Sequence, residues 1–134
     1  MRHHIFLSYS REDSEIMRRV QDSLLNANLS VWTDETFEPG TSAWRSAYED
    51  SLQQAGCCIV LLSPASKGAV LIEQQLDKAK VLGLRIFPVI GRGDEWSAIP
   101  QAFIGTQIID VRANHDARMN RLIERIRDHL GITN

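Results

Sequence analysis

Among the side chains of the 134-residue sequence whose types can act as nucleophiles, bases or metal ligands, spacing limits what each can do. His3, His4, His115 and His129 fall near the termini or in an expected surface loop. Acid–base or metal-binding work is open to them, but solvated surface histidine is the simpler reading. Cys57 and Cys58 are adjacent. Neighbours in a strand point to opposite faces, so they are poor disulfide partners for each other and cannot form a zinc knuckle. Buried strand thiols of a reduced, cytosolic protein are expected. Ser63 and Ser66 have no histidine placed to activate them, and a strand end and a helix cap describe them better than nucleophiles. Asp34, Glu35 and Glu38 form an acidic cluster, readable as a solvated loop or as an interaction surface. Arg92 and Asp94, among glycines, read as ordinary loop before they read as a contact to phosphate or to a partner. Trp32, Trp44 and Trp96 are expected to be core or half-buried.

The elements that must position these residues alternate between apolar runs and helical patterns. A first strand over 5–7 runs into Ser8-Tyr9-Ser10, and Ser10 or Asp13 caps a helix reaching Asn26, with Ile16, Val20 and Leu24 on its apolar stripe. A second strand is expected over 29–32, then a loop over 33–40 rich in turn residues. Ser42 starts a second helix carrying Trp44, Tyr48 and Leu52 on one side. The run 57–62 shows no polar alternation, which marks a central strand covered on both faces. A third helix spans about 66–82, stopped by Gly83. Strand 85–90 contains Pro88, which cannot donate to a ladder, so a strand near the edge or a bulge is expected. A single turn over 99–103, a fifth strand over 107–110 and a helix over 116–130 complete the pattern. The last helix carries Met119, Leu122, Ile123, Ile126 and Leu130 at helical spacing. Strands alternating with helices predict a flavodoxin-like α/β three-layer sandwich, a five-stranded parallel sheet with helices on both faces and right-handed crossovers. Ligands of such sheets bind beyond the carboxyl ends of the strands, here Ser8-Tyr9-Ser10 and the stretches 34–40, 63–68 and 91–94.

Composition fits one globular domain, 43% hydrophobic and 24% charged. Fifteen Lys and Arg against 17 Asp and Glu offer no basic footprint for nucleic acid. No apolar run approaches the roughly 18 residues of a membrane helix, and the first residues turn polar too soon for a secretion signal. The first strand is not followed by G-x-G-x-x-G or by a phosphate-cradling glycine loop. Leu62 runs into Ser63-Pro64, so the aspartate that a phospho-acceptor receiver domain needs at that strand end is missing.

Four segments in order carry a family resemblance. Phe6-Leu7-Ser8-Tyr9 resembles the first-strand box of Toll/interleukin-1 receptor (TIR) domains. Val31-Trp32-Thr33-Asp34 with Glu38-Pro39-Gly40 resembles their second strand and long loop. Ile59-Val60-Leu61-Leu62-Ser63-Pro64 resembles their third strand, and Phe87-Pro88-Val89 their fourth-strand box. The chain is thereby similar to a single bacterial-type TIR domain over 1–134.

The resemblance implies two activities. Many TIR domains self-associate as signalling or immunity scaffolds, through the loop between Asp34 and Gly40 and through helix faces, with other TIR domains as partners. Many bacterial and plant ones also cleave NAD, as a substrate rather than a permanently bound cofactor, releasing nicotinamide and linear or cyclic ADP-ribose products. That cleavage passes through a cation-like ribose, which a carboxylate steadies. The family supplies it as the glutamate of a Ser-x-Trp-[Cys/Val]-x-x-Glu-Leu motif. In the gap-free register from Ser63-Pro64 to Phe87-Pro88, the serine position holds Ala69, the tryptophan Leu71 and the glutamate Gln75. Glutamine keeps the shape but neither the charge nor the basicity. By the resemblance, Ser8, Tyr9, Asp34, Trp44 and Leu71 would border a bound nucleotide. Glu73 would replace the lost glutamate only through a two-residue slip, since it points about 200° away on the helix. A cytoplasmic self-associating module with an inactive or silenced cleft is expected. The alternative is an active NAD glycohydrolase or cyclase, either descended from a parent with glutamate at position 75 or relying on Glu73. No metal, nucleic-acid or membrane role is expected.

Overall fold

The structure, a computed structural model, describes residues 4–132, so His3 lies outside the described residues. The chain runs through β1 (Ile5–Ser8), α1 (Ser14–Asn26), β2 (Val31–Trp32), α2 (Ser42–Gln54), β3 (Cys57–Leu62), α3 (Val70–Val81), β4 (Ile86–Ile90), α4 (Glu95–Ala98), β5 (Ile109–Asp110) and α5 (His115–Leu130). The five strands form one sheet in the order β2-β1-β3-β4-β5, and every pairing is parallel. This is the flavodoxin-like α/β sandwich.

Strand alternation builds two cores. Ile5, Leu7, Cys57, Ile59 and Leu61 face Met17, Val20 and Leu24 of α1 and Met119, Leu122 and Ile126 of α5. Phe6, Cys58, Val60 and Leu62 face Trp44, Tyr48 and Leu52 of α2 and Ile72, Leu76 and Ala79 of α3. The adjacent cysteines therefore sit in opposite layers as free thiols. Burial pushes both thiols up, Cys57 to about 12, which leaves neither as a thiolate nucleophile near neutral pH.

Several boundaries differ from expectation for local reasons. Both edge strands pair on one side only and shrink to two residues each. Residues 29 and 30 fall outside the strand because Leu29 N–H bonds back to Leu24 and Ser30 N–H donates to His4 Nδ1 at 2.9 Å, although the Ser30 carbonyl still accepts from Ile5. His4 thus joins the start of β1 to the approach of β2 and is not a free surface group. Helix α3 begins at Val70, because the Ser63 hydroxyl accepts from the backbone N–H groups of Ala65 and Ser66 and holds that stretch in turns. β4 lies near the edge as expected, next to the edge strand β5, and it is not bulged: its register with β3 runs without interruption from Cys58↔Ile86 to Leu62↔Ile90. Alternation from Gly91, whose N–H bonds to Leu62 in β3, turns the Pro88 nitrogen toward β5. The β5 ladder begins only at Val89↔Ile109, so no bond is lost there. Trp96, expected to pack, is 87% exposed on α4.

Candidate functional site

Chain order reverses direction across the sheet beside β1, since β2 lies on one side of it and β3 on the other. Such a point opens a crevice at the strand carboxyl ends. A cleft of about 190 Å³ lies there. It is bounded by Tyr9, Ser10 and Arg11 after β1, Asp34 and Pro39 after β2, Trp44 of α2, and the first turns of α3 with Leu71 and Gln75.

Each wall has a local cause. Thr41 caps α2 by accepting the Trp44 N–H on its hydroxyl, which fixes Trp44 in the first turn, where its indole is buried. The Trp44 Nε1–H then donates to Asp34 Oδ2 at 2.6 Å. Arg11 holds the loop after β2 by donating to the backbone carbonyls of Asp34, Glu35 and Phe37, and its guanidinium lies 3.4 Å from Asp34 Oδ1. On α3, Leu71 and Gln75 are four residues apart and share the cleft-facing side. Gln75 is buried, and its Oε1 accepts the hydroxyl proton of Ser8 at 2.6 Å. Tyr9 is buried too, its hydroxyl makes no well-formed hydrogen bond, and its pKa is pushed up to about 12, first by burial and then by the charge of Asp34. Asp34 is 6% exposed, and its Oδ1 accepts no hydrogen bond.

The sequence-derived residues Tyr9, Asp34, Trp44, Leu71 and Gln75 thus border one cleft, with Ser8 directly behind Gln75. Glu73 does not join them. It is exposed and borders a different depression of about 220 Å³, with Asp77, Lys80 and Phe103. Of the acidic loop residues, Asp34 is buried, Glu35 pairs with Arg18, and Glu38 is exposed. Arg11 was not singled out from the sequence, although it lies one residue beyond the strand end that was.

A second buried carboxylate was missed as well. Asp13, expected as a helix cap, makes no cap bond. Its oxygens accept instead from the Ser63 hydroxyl and from Arg92 Nε. Arg92 is thereby a structural partner, and Ser63 a framework hydroxyl. The other described histidines also have neighbours: the His129 ring meets Phe87 edge-on, and His115 lies 3.3 Å from the Ser23 hydroxyl.

A larger hollow of about 1160 Å³ surrounds Trp96, yet its polar groups are paired already. Arg112 binds Asp110 and Glu95, Asp94 caps α4 by accepting the Ser97 N–H, and Lys67 donates to the Trp96 carbonyl. Among the described residues no group of three or more His, Cys, Asp or Glu side chains is placed to hold a metal ion, and no helix is long and apolar enough to cross a membrane.

Comparison with known proteins agrees with this architecture. The family model described as TIR domain matches residues 5–123. The TIR domain of the Toll-related receptor TRR-2 from Hydra magnipapillata is similar at 20% identity, with a TM-score of 0.75 over 93% of this chain and 98% of that one. A metazoan TIR-STING receptor from C. gigas, solved with 2′,3′-cGAMP, is similar at 20% identity and TM-score 0.73. The match covers 92% of this chain and 39% of that receptor. The RPS4 and RRS1 TIR domain heterodimer gives 9% identity and TM-score 0.66, over 96% of this chain and 98% of that one. At these identities the likeness is one of fold. No curated protein sequence matches.

Proposed function

The chain belongs to the TIR domain family, and from that premise we propose that it is a self-associating signalling or defence module whose inherited NAD-cleaving cleft no longer turns NAD over. The observation that carries this reading is the Ser8–Gln75 hydrogen bond at the place where the family's catalytic glutamate is expected. Cleaving the nicotinamide–ribose bond builds positive charge on the ribose, and rate depends on a fixed negative charge beside it. Gln75 has the reach of glutamate but no charge, and its carbonyl oxygen is already engaged by Ser8. Leu71, where the family places tryptophan, offers an aliphatic edge and no aromatic face.

The cleft does retain one carboxylate, Asp34, but Trp44 occupies one oxygen and the Arg11 guanidinium offsets its charge. Glu73, on another face, supplies none. The module is read as one cytoplasmic TIR domain throughout, meeting further TIR domains through the loop after β2 and through helix faces. The heterodimer of the RPS4 and RRS1 TIR domains is a precedent for pairing of this fold.

One observation favours the second reading, an NAD glycohydrolase or cyclase silenced by a single change. Gln75 is buried in place at the cleft, so a glutamate there would occupy the same space. Nicotinamide release from NAD, measured at high protein concentration for the chain and for Gln75→Glu, separates the two. No release from either folded protein is the expected result. A rise of about two orders of magnitude or more in Gln75→Glu alone would establish the silenced enzyme. Release by the unaltered chain would overturn the proposal and turn attention to Glu73.

A further inference from the structure

We infer that Arg11 is a latch that holds the loop after β2 closed against the body of the domain, and that self-association waits on its release. The inference rests on the reading that this loop is a meeting surface between copies, and it adds how that surface is regulated.

The latch is one guanidinium that spans the loop. Arg11 opens the short turn Arg11–Asp13 between β1 and α1. Its Nη1 donates to the Glu35 carbonyl at 3.2 Å, its Nη2 to the carbonyls of Asp34 and Phe37, and the same group lies 3.4 Å from Asp34 Oδ1. Three loop carbonyls thus turn inward onto one cation. Only a planar fork reaches several acceptors at once in this way; an ammonium is a point charge. The closed loop also tucks in its aromatic residue. Phe37 is half-buried, its ring 6.3 Å from that of Trp32, which in turn stacks on Phe6 of β1 at 5.1 Å. Left outside are Thr36, Glu38 and Gly40.

That outer face suits a partner poorly. Interface cores are enriched in aromatic residues and depleted of charge. In the closed loop the aromatic ring and three backbone acceptors face inward, and a carboxylate faces out. Opening would present the ring and the carbonyls together. The closed arrangement also carries a standing cost. Arg11 Nε is buried without a hydrogen-bond partner among the described residues, and Asp34 Oδ1 accepts no hydrogen bond although the guanidinium is 3.4 Å away. A buried polar atom left unbonded typically costs more than one made bond contributes. Opening brings both atoms to water. A few strong bonds set against such a penalty make an element with two accessible states. The neighbouring tie from α1, Arg18 to Glu35, is solvent-exposed and contributes little. Closure therefore depends on Arg11.

The test compares the full chain with Arg11→Gln and Arg11→Lys by two readouts. Hydrogen exchange of the Phe37 amide, which bonds to the Asp34 carbonyl within the loop, reports the latch, and sedimentation equilibrium reports association. Both variants should speed Phe37 exchange at least about tenfold, as expected when bonds from a charged group are lost, and raise the association constant at least about tenfold. Arg11→Lys keeps the charge beside Asp34 without the fork, so its agreement with Arg11→Gln assigns the effect to the carbonyl bonds. It also carries the test alone if Arg11→Gln does not fold. Adding Phe37→Ser to either should cancel the gain in association, and Arg18→Gln should move both readouts little. Unchanged Phe37 exchange in the folded variants would overturn the inference. Faster exchange with weaker association would overturn it too, since Arg11 would then present the loop, while the self-association reading stood. Faster exchange with every protein monomeric at high concentration would instead remove the self-association reading, and the restraint with it.

Discussion

Asp13 and Asp34 are both buried carboxylates near the carboxyl ends of the sheet, and they differ in how their oxygens are used. Asp13 has both committed, one to the Ser63 hydroxyl and one to Arg92, and its side chain is wholly enclosed. Asp34 gives one oxygen to Trp44, while the other accepts no hydrogen bond and lies 3.4 Å from the Arg11 guanidinium at the border of a cleft. The first ties the turn before α1 to the ends of β3 and β4 and has nothing left for a ligand. The second is held by one hydrogen bond and one ion pair at the border of the cleft, and one of its oxygens accepts no hydrogen bond. Burial alone does not separate framework from site; the count of oxygens without a hydrogen bond does.

The largest expected effect tests the framework half of this contrast. Asp13→Ala removes the acceptor of the buried Ser63 hydroxyl, leaving that group unsatisfied beside a small void. A loss of about 3 kcal/mol is expected in the urea midpoint analysis. Arg92→Ala should cost less, because the guanidinium side of the pair faces water. If Asp13→Ala were silent in stability, the distinction drawn between the two carboxylates would lose its structural half.

A middle-sized effect probes the held side of Asp34. Trp44→Phe keeps most of the apolar volume in the core but deletes the Nε1–H donor, so neither Asp34 oxygen accepts a hydrogen bond and only the Arg11 guanidinium still faces the carboxylate. Thermal unfolding should report a loss of about 2 kcal/mol, composed of an unsatisfied buried acceptor and a smaller ring. Asp34 would then be less fixed in direction than Asp13, held by Arg11 alone.

The contrast was half legible in the sequence. Asp34 stood out because it follows a strand expected to end at the ligand side of the sheet. Asp13 looked like a helix cap, since its partners Ser63 and Arg92 lie 50 and 79 residues away and no local pattern links them. The same rule explains the rest. β3 was legible end to end because an unbroken apolar run demands cover on both faces, whereas the edge strands were read too long because their ends depend on tertiary bonds such as Ser30 to His4. The shared face of Leu71 and Gln75 followed from a spacing of four. The Ser8 hydroxyl that engages Gln75 did not, being 67 residues distant. Trp96 was misread because residue type states a preference for burial, not the presence of a neighbour to provide it.

The smallest expected effect examines the charge of Asp34 through its neighbour Tyr9. The Tyr9 pKa is raised from 10.0 to about 12, with burial the main cause and Asp34 the next. A raised folded-state value means that the protonated phenol is favoured by folding. Its contribution to stability is therefore complete below about pH 10, the unfolded value, and is lost as pH climbs toward about 12. Both tyrosines should titrate late by absorbance, since burial also raises Tyr48; the Tyr9 component should vanish in Tyr9→Phe, and that variant should lose less stability over the same alkaline range. Asp34→Asn should bring the titration down by a fraction of the whole shift, because it removes the charge and leaves the burial. If Asp34→Asn left the Tyr9 titration where it was, the carboxylate would not be directed at the tyrosine across the cleft. Asp34 would then resemble Asp13, a charge consumed by its own scaffold.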